Sequence, residues 1–219
     1  MITPTFENIQ NTVYDLKDIY PCDANGTKLT SCKNKLMVQK LNTSSGGVSG
    51  GYKYTTSSSK GWYRISDNQA IAAGEVPIYE GEGLYLYNTE TSADIYINLS
   101  GAVTLTALST PIAASSYMML GNMTPVTVYL KQVKPWNVEG TAEETNCKNK
   151  LMAQKVNPAT GGVTGGYKYT TASNKGWYRI SDNQAIGDTE VPIEPGEAMY
   201  FSNSDASKAY TLKFPNPVQ

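Results

Sequence analysis

Histidine is absent from this 219-residue sequence, which limits the chemistry that its side chains can perform. The absence excludes Ser-His and Cys-His nucleophile systems, an imidazole general base and the usual Cys/His zinc site. The remaining acid–base candidates are Glu75 and Glu82, which recur 115 residues later as Glu190 and Glu197. Two carboxylates can hydrolyse a glycosidic bond, but the sequence around these four is typical of solvated loops. We therefore predict that the protein is not an enzyme.

Two further patterns resemble ligand-binding motifs but do not complete them. The glycine-rich stretch 46–51, repeated at 161–166, lacks the Gly-Lys-Ser/Thr ending of a phosphate loop, and a strand-like sequence follows it. Asp67-Asn68 and its repeat lack the ligand spacing of an EF-hand and are typical of a turn. The sequence therefore predicts no metal and no other cofactor.

The three cysteines are distributed unevenly. Cys22 and Cys32 flank the turn-forming sequence Asp-Ala-Asn-Gly, which makes them candidates for a local disulfide in an oxidising compartment. Cys147 would then lack a partner within the chain. The alternative is three reduced thiols in a cytosolic protein. In an ungapped comparison of the two halves of the chain, Cys32 matches Cys147, whereas Cys22 falls opposite Asn137.

Most of these side chains lie in an internal sequence repeat. Residues 32–88 recur as residues 147–203 without a gap, and 32 of the 40 positions in 32–71 and 147–186 are identical. We call each of these 40-residue segments the box. The repeat predicts two domains, 1–105 and 106–219. Identity concentrated in the box has two interpretations, which are recent gene conversion and a surface that both copies present to the same kind of partner.

The fold class follows from short runs of aromatic and β-branched residues between Gly, Pro, Asn and Ser clusters. We predict an all-β protein with two tandem homologous domains, each a β-sandwich or barrel-like. Only the sequence KNKLMVQKLN is ambiguous, because it is also compatible with one or two helical turns. The strands predicted in the first copy are 12–14, 36–41, 52–56, 62–65, 84–87 and 95–99.

The box places an aromatic ring beside the only arginine of each copy. On a strand, Trp62 and Arg64 point to one face and Tyr63 to the other. This pair suits an external partner, because arginine stacks on rings and binds carboxylates. The alternative is that Trp62 is buried and Arg64 forms an ion pair inside its own domain. The candidate interface or ligand-binding residues are Trp62, Tyr63, Arg64, Tyr52, Tyr54, Trp177, Tyr178, Arg179, Tyr167 and Tyr169.

Charge is segregated within each copy, although the net charge is only −1. Residues 32–66 carry six basic side chains and no acid, and residues 67–94 carry six acids and no base; the second copy repeats this pattern. Opposite charges on neighbouring strands would pair within the sheet. If they lay at opposite ends instead, domains could associate head to tail and form a filament. The near-zero net charge predicts no nucleic-acid partner.

The two copies differ in what precedes their first matching strand. A charge-free apolar segment, residues 103–120, precedes the second copy, whereas eleven residues precede Thr12. If part of that segment is a strand of the second domain, the first domain needs another strand to cover the same edge. The candidates are residues 103–108, continuing the last strand of the first domain, or a strand from another subunit.

The sequence Pro-Ile-x-x-Gly-Glu-Gly-x-x-x-x-Asn spans Pro77 to Asn88 downstream of Gly61-Trp62, and Ala198 replaces its last glycine in the second copy. This pattern resembles repeated β-domains of secreted, uncharacterised bacterial surface proteins. The resemblance implies export and a β-sandwich, but no activity.

These observations predict an extracellular or cell-surface structural protein. Its tandem domains would self-assemble head to tail into a filament, fibre or surface layer, with the protein itself as its main partner. The first alternative is a tandem carbohydrate-binding adhesin, in which the aromatic residues of the two boxes stack on sugar rings and gain by avidity. The second is a virion decoration or tail component. No insertion into a membrane is predicted.

Overall fold

The computed structural model describes residues 12–79, 81–90, 94–97, 108–157 and 162–216. In these ranges the regular elements are strands and four three-residue 3-10 helices, which confirms the all-β class. The strands form several open sheets. None of the helices in these ranges has the length or apolar character needed to cross a membrane.

The first copy contains the strands β1 (Thr12–Asp15), β2 (Pro21–Cys22), β3 (Lys33–Leu41), β4 (Val48–Thr55), β5 (Gly61–Arg64), β6 (Pro77–Tyr79), β7 (Tyr85–Asn88) and β8 (Tyr96–Ile97). The second half contains β9 (Ser109–Ile112), β10 (Ser116–Gly121), β11 (Val128–Tyr129), β12 (Lys134–Trp136), β13 (Lys148–Val156), β14 (Val163–Thr170), β15 (Gly176–Arg179), β16 (Pro192–Ile193), β17 (Ala198–Asn203) and β18 (Tyr210–Lys213). The 3-10 helices are Leu16–Asp18, Ser57–Ser59, Leu130–Gln132 and Ala172–Asn174.

The ambiguous sequence KNKLMVQKL forms strand β3 rather than a helix. Leu36 and Val38 are buried, whereas Met37 between them is only partly buried. This period of two is the pattern of a strand with one face on the core. In β13, Leu151 and Ala153 repeat it.

The chain divides into two compact units. The first comprises Met1–Met37, Tyr52–Glu80 and Asn88–Leu99, and the second comprises Val38–Gly51, Gly81–Tyr87 and Ser100–Gln219. Two segments of the first sequence copy therefore belong to the second unit. The units and the sequence copies are not the same divisions of the chain.

The second unit contains a five-stranded sheet of order β10-β17-β13-β14-β15 and a three-stranded sheet of order β12-β18-β9. Both sheets contribute to one apolar core, with Leu151, Trp177 and Phe201 from the larger sheet and Leu212 from the smaller one. These four side chains are at most 1% exposed. Burial of these apolar side chains stabilises the folded state of the second unit.

The strands of the first copy form a sheet of order β5-β4-β3-β7 and the two-stranded sheets β1-β6 and β2-β8. The buried side chains of the first unit include Leu16, Leu36, Trp62 and Ile71. Leu108 is the only residue of the predicted covering strand 103–108 that lies within the described ranges.

The two copies differ by one residue upstream of the box. The indole N–H of Trp62 donates to Ile19, 43 residues away, whereas that of Trp177 donates to Val133, 44 residues away. In the paired strands, Cys22 lies opposite Tyr96, and Trp136 lies opposite Thr211. Cys22 therefore corresponds to Trp136. The ungapped comparison of the sequence had placed Cys22 opposite Asn137 instead.

Candidate functional site

The two tryptophans of the boxes belong to the core. Trp62 is 2% exposed and Trp177 is 1% exposed. Each indole N–H donates to a backbone carbonyl, of Ile19 at 2.7 Å and of Val133 at 2.6 Å. Tyr54 packs edge-on against Trp62 with ring centroids 5.3 Å apart, and the second copy repeats this contact. The predicted Trp/Arg surface is therefore wrong, because the two indoles are buried in the core.

The box arginines close turns within their own copy. Arg64 Nε donates to both carboxylate oxygens of Asp67, and its Nη1 pairs with Glu75. Its side chain remains 32% exposed, so the ion pairs lie at the surface. The second copy repeats this arrangement with Arg179, Asp182 and Glu190. We call each set the arginine clasp.

The clasp also holds the backbone of the loop. Asp67 Oδ1 accepts from the Gln69 N–H at 3.0 Å, and Glu75 Oε2 accepts from the Ala72 N–H at 2.8 Å. These backbone bonds, together with Arg64, lower the pKa of both carboxyls below their ordinary values. The ion pair of Arg64 inside its own domain is the alternative that the sequence analysis gave, but the sequence analysis did not identify its acidic partners or their bonds to the loop backbone. The signal was the identical spacing of one arginine and two acids in both copies.

The box tyrosines differ in exposure. Tyr54 and Tyr169 are buried, at 5% and 6% exposure, and burial raises the pKa of Tyr169 to about 12. Tyr63 donates its hydroxyl hydrogen to Asn34 at 2.9 Å, and Tyr178 makes the same bond to Asn149. The part-buried tyrosines of the predicted set are Tyr52, Tyr63 and Tyr167. Because the tryptophans are buried, they are not available to stack on sugar rings.

The segregated charges meet within each copy. Lys40 Nζ lies 2.9 Å from Glu82, and Lys155 Nζ lies 2.8 Å from Glu197. Together with the clasps, these pairs join the basic and acidic stretches through contacts inside the chain. Opposite charges therefore pair inside each copy, although these acids lie outside the named strands and not on a neighbouring strand, where the interpretation from the sequence placed them. Glu82 and Glu197 bind lysines, while Glu75 and Glu190 bind arginines.

All three cysteines are free thiols and are buried. The predicted disulfide between Cys22 and Cys32 is absent from the structure. The Cys22 thiol instead donates to the Tyr96 carbonyl, with Sγ and O 3.3 Å apart. Burial raises the pKa of the Cys32 thiol, and the same holds for Cys147. A raised pKa makes a thiol less reactive, as is typical of structural cysteines.

Strand β10 of the second unit is paired along both edges. All six of its residues pair antiparallel with β17. On its other edge, the Gly83 N–H donates to Met119 at 3.0 Å, and the Gly121 N–H donates to Gly81 at 2.9 Å. These partners, Gly81 to Gly83, come from the first sequence copy. We call this contact the β10 junction.

Glycines of the first copy make the β10 junction sterically feasible. A Cβ added at Gly83 would clash with the side chains of Met119 and Ala198. Gly46 has φ of +72°, and a Cβ there would lie 2.6 Å from the Tyr200 hydroxyl oxygen. Ala198, the counterpart of Gly83 in the second copy, therefore lies directly beside Gly83, and its methyl group occupies space that a side chain at Gly83 would need.

Strand β7 lies at the end of its sheet and exposes apolar side chains. Leu86 is 54% exposed and Tyr87 is 49% exposed. Their counterparts in β17 are Phe201 and Ser202, which are 0% and 6% exposed because β10 and β13 flank that strand. An exposed apolar edge strand is prone to pair with another strand. We take the β7 edge, residues Tyr85 to Tyr87, as the candidate functional site.

No protein-family model, no curated protein and no solved structure matches this chain.

Proposed function

We propose that the protein is an extracellular structural protein whose tandem β-modules self-assemble into a filament, fibre or surface layer by strand addition at the β7 edge. The observation that supports this most directly is the β10 junction. There, backbone groups of one sequence copy add to a strand of the other copy. An interface between chains would use the same kind of backbone contact.

The β7 edge is the acceptor in this proposal. It is the last strand of its sheet, where a further strand can add, and Leu86 and Tyr87 offer apolar area that association would remove from water. The opposite end of the sheet is less suitable. There, Ile71 and Arg64 donate backbone N–H groups to bonds that join β5 and the following loop. The donor strand comes from a second copy of the chain.

The proposed assembly is not driven by electrostatic attraction between the basic and acidic stretches of neighbouring chains, which the sequence analysis had suggested. Lys40, Arg64 and their counterparts in the second copy already have acidic partners in their own copy. Assembly through apolar and backbone contacts depends only weakly on ionic strength. We therefore expect the assembled fraction to change little with salt.

The test is the size distribution of the protein, measured by light scattering after gel filtration and by negative-stain microscopy. We expect the wild type to form larger species as its concentration rises. The double variant Leu86→Lys/Tyr87→Lys should remain monomeric, because two lysines on an edge strand oppose strand pairing. The matched control is the double variant Val126→Lys/Ile65→Lys, which adds the same charge at side chains that are 41% and 43% exposed. It should assemble as the wild type does.

Two results would contradict the proposal. One is a wild type that stays monomeric at every concentration and salt. The other is equal assembly of the β7 variant and its matched control, which would place the interface elsewhere.

A further inference from the structure

A cavity of about 410 Å³ opens in the first compact unit beside strand β8. This volume lies in the ordinary range of small-molecule sites, roughly 300–1,000 Å³. Its walls include the apolar side chains of Leu29 and Ile95, the buried thiol of Cys32 and the carboxylate of Glu90. Nothing in the proposed assembly uses this cavity, so its role is a separate question.

The second unit shows what fills the corresponding space there. Tyr210 is 0% exposed, and its hydroxyl donates to Asp205 at 3.2 Å. The phenol also interacts with the side chain of Cys147, and burial raises its pKa. The Lys208 ammonium lies 5.6 Å from the centroid of the ring. The ring is thus held by a carboxylate, a thiol and surrounding apolar groups.

The register of the strands makes Ile95 the counterpart of Tyr210. Tyr96 of β8 lies opposite Cys22, and Thr211 of β18 lies opposite Trp136, which corresponds to Cys22. Ile95 and Tyr210 each precede these residues. The first unit therefore carries an aliphatic side chain where the second carries a phenol, and Ile95 is one of the residues that line the cavity.

The groups that hold the phenol in the second unit have chemical equivalents around the cavity. At the 115-residue offset, Cys32 corresponds to Cys147, and Glu90 corresponds to Asp205. Cys32 and Glu90 both line the cavity. The site therefore retains a carboxylate acceptor for a hydroxyl and a buried thiol, while the ring itself is missing. A phenol from outside would fit these groups.

The charge of the walls adds a second requirement. The lining residues include three acids, Asp23, Glu90 and Asp94, against one lysine, Lys35. Oδ1 of Asp23 accepts from the N–H groups of Asn25 and Thr27, which leaves Oδ2 of Asp23 and the carboxylate of Asp94 to face a ligand. Lys35 Nζ lies 4.0 Å from Glu90, and its side chain is 45% exposed, so this ion pair is weak. An excess of acidic side chains favours a cationic ligand over an anionic one.

We propose that this cavity binds a phenol that carries a protonated amine, with the ring in the position that Tyr210 occupies in the second unit and the ammonium near Asp23 and Asp94. The ligand is either a free phenolic amine or the N-terminal tyrosine of a polypeptide, since the two present the same groups.

The experiment is a titration of the whole protein with small ligands. Binding is measured by calorimetry and by NMR of the backbone amides around Cys32 and Ile95. Tyramine should bind about tenfold or more tightly than 4-hydroxyphenylacetate, which replaces the amine by a carboxylate. Phenethylamine, which lacks the hydroxyl, should also bind more weakly, because Glu90 then loses its donor. A peptide that begins with tyrosine distinguishes the two sources: binding tighter than tyramine identifies a polypeptide end, and weaker binding identifies a free amine.

The variant Ile95→Tyr restores the side chain of the second unit and should abolish tyramine binding. Its matched control is Ile65→Tyr, which adds the same ring at an exposed position of the same unit and should bind as the wild type does. If Ile95→Tyr does not fold, Asp94→Ala, at an exposed position where the second copy has Ala209, serves instead and should weaken the binding of the two amines, tyramine and phenethylamine, but not that of 4-hydroxyphenylacetate. The proposal is overturned if tyramine does not bind at millimolar concentration, if it binds no better than the carboxylate, or if Ile95→Tyr binds it unchanged.

Discussion

At the scale of single residues, the indole N–H explains why Trp62 and Trp177 lie inward. A buried indole needs an acceptor, and the carbonyls of Ile19 and Val133 provide one in each copy. The bond joins the start of each copy to its box. The tryptophan of the box therefore has the same structural role in both copies.

Replacement of Trp62 by alanine should destabilise the protein by about 3–5 kcal/mol, because it leaves a cavity and an unpaired carbonyl at Ile19. Trp177→Ala should have an effect of similar size. The free energy of unfolding from urea titrations measures both. The control Tyr20→Ala removes an aromatic ring that is 40% exposed and should change the stability little. Equal losses for Trp62→Ala and Tyr20→Ala would contradict the assignment of Trp62 to the core.

At the scale of elements, the arginine clasp fixes the loop that follows β5 and β15. Its acids carry depressed pKa values, chiefly through the Gln69 and Ala72 N–H groups at Asp67 and Glu75, with Arg64 adding to both. In the second copy, Arg179 is the largest cause for Asp182. A carboxyl whose pKa is lower in the folded state stabilises that state when it is ionised, and the stabilisation is lost as the pH falls through the folded pKa.

Arg64→Gln should therefore lower stability most above about pH 5, where both carboxylates are ionised in either state, and least below about pH 3. Thermal unfolding followed over this pH range measures the difference from the wild type. Lys33→Gln removes a positive charge from the exposed start of β3 and serves as the matched control, with a flat difference. A difference for Arg64→Gln that grows toward low pH would show that the ionised carboxylates of the clasp do not stabilise the folded state.

At the scale of the whole molecule, compact structure does not follow the boundaries of the sequence repeat. Residues Val38–Gly51 and Gly81–Tyr87 of the first copy belong to the second unit. Within that unit, Gly81 to Gly83 complete the second edge of β10, and the Thr43 carbonyl accepts from the Tyr117 N–H at 2.8 Å. The repeated sequence thus forms different contacts in its two occurrences.

Gly83→Ala should disturb the β10 junction, because the added methyl group would overlap Met119 and Ala198. Hydrogen exchange of the Gly83 and Gly121 amides should accelerate by about tenfold or more as these bonds open. Gly47→Ala is the matched control, since its Cβ would meet nothing closer than the Ser45 hydroxyl at 3.7 Å. Unchanged protection in Gly83→Ala would show that residues 81–83 do not depend on close packing against β10.

The sequence alone determined the repeat, the all-β class and six of the eight strands described in the first copy, because period-two patterning and turn residues are local signals; the short strands β2 and β6 were missed. It also contained the Arg64, Asp67 and Glu75 spacing that forms the clasp, although it gave an ion pair of Arg64 within the domain only as an alternative and did not identify the two acids. Only the tertiary structure decided that Trp62 faces the core, that residues 81–83 pair with β10, and that Ile95 lines a cavity whereas its counterpart Tyr210 is fully buried. Each of these depends on which distant segment covers a given face or edge, and local patterning carries no information about that partner.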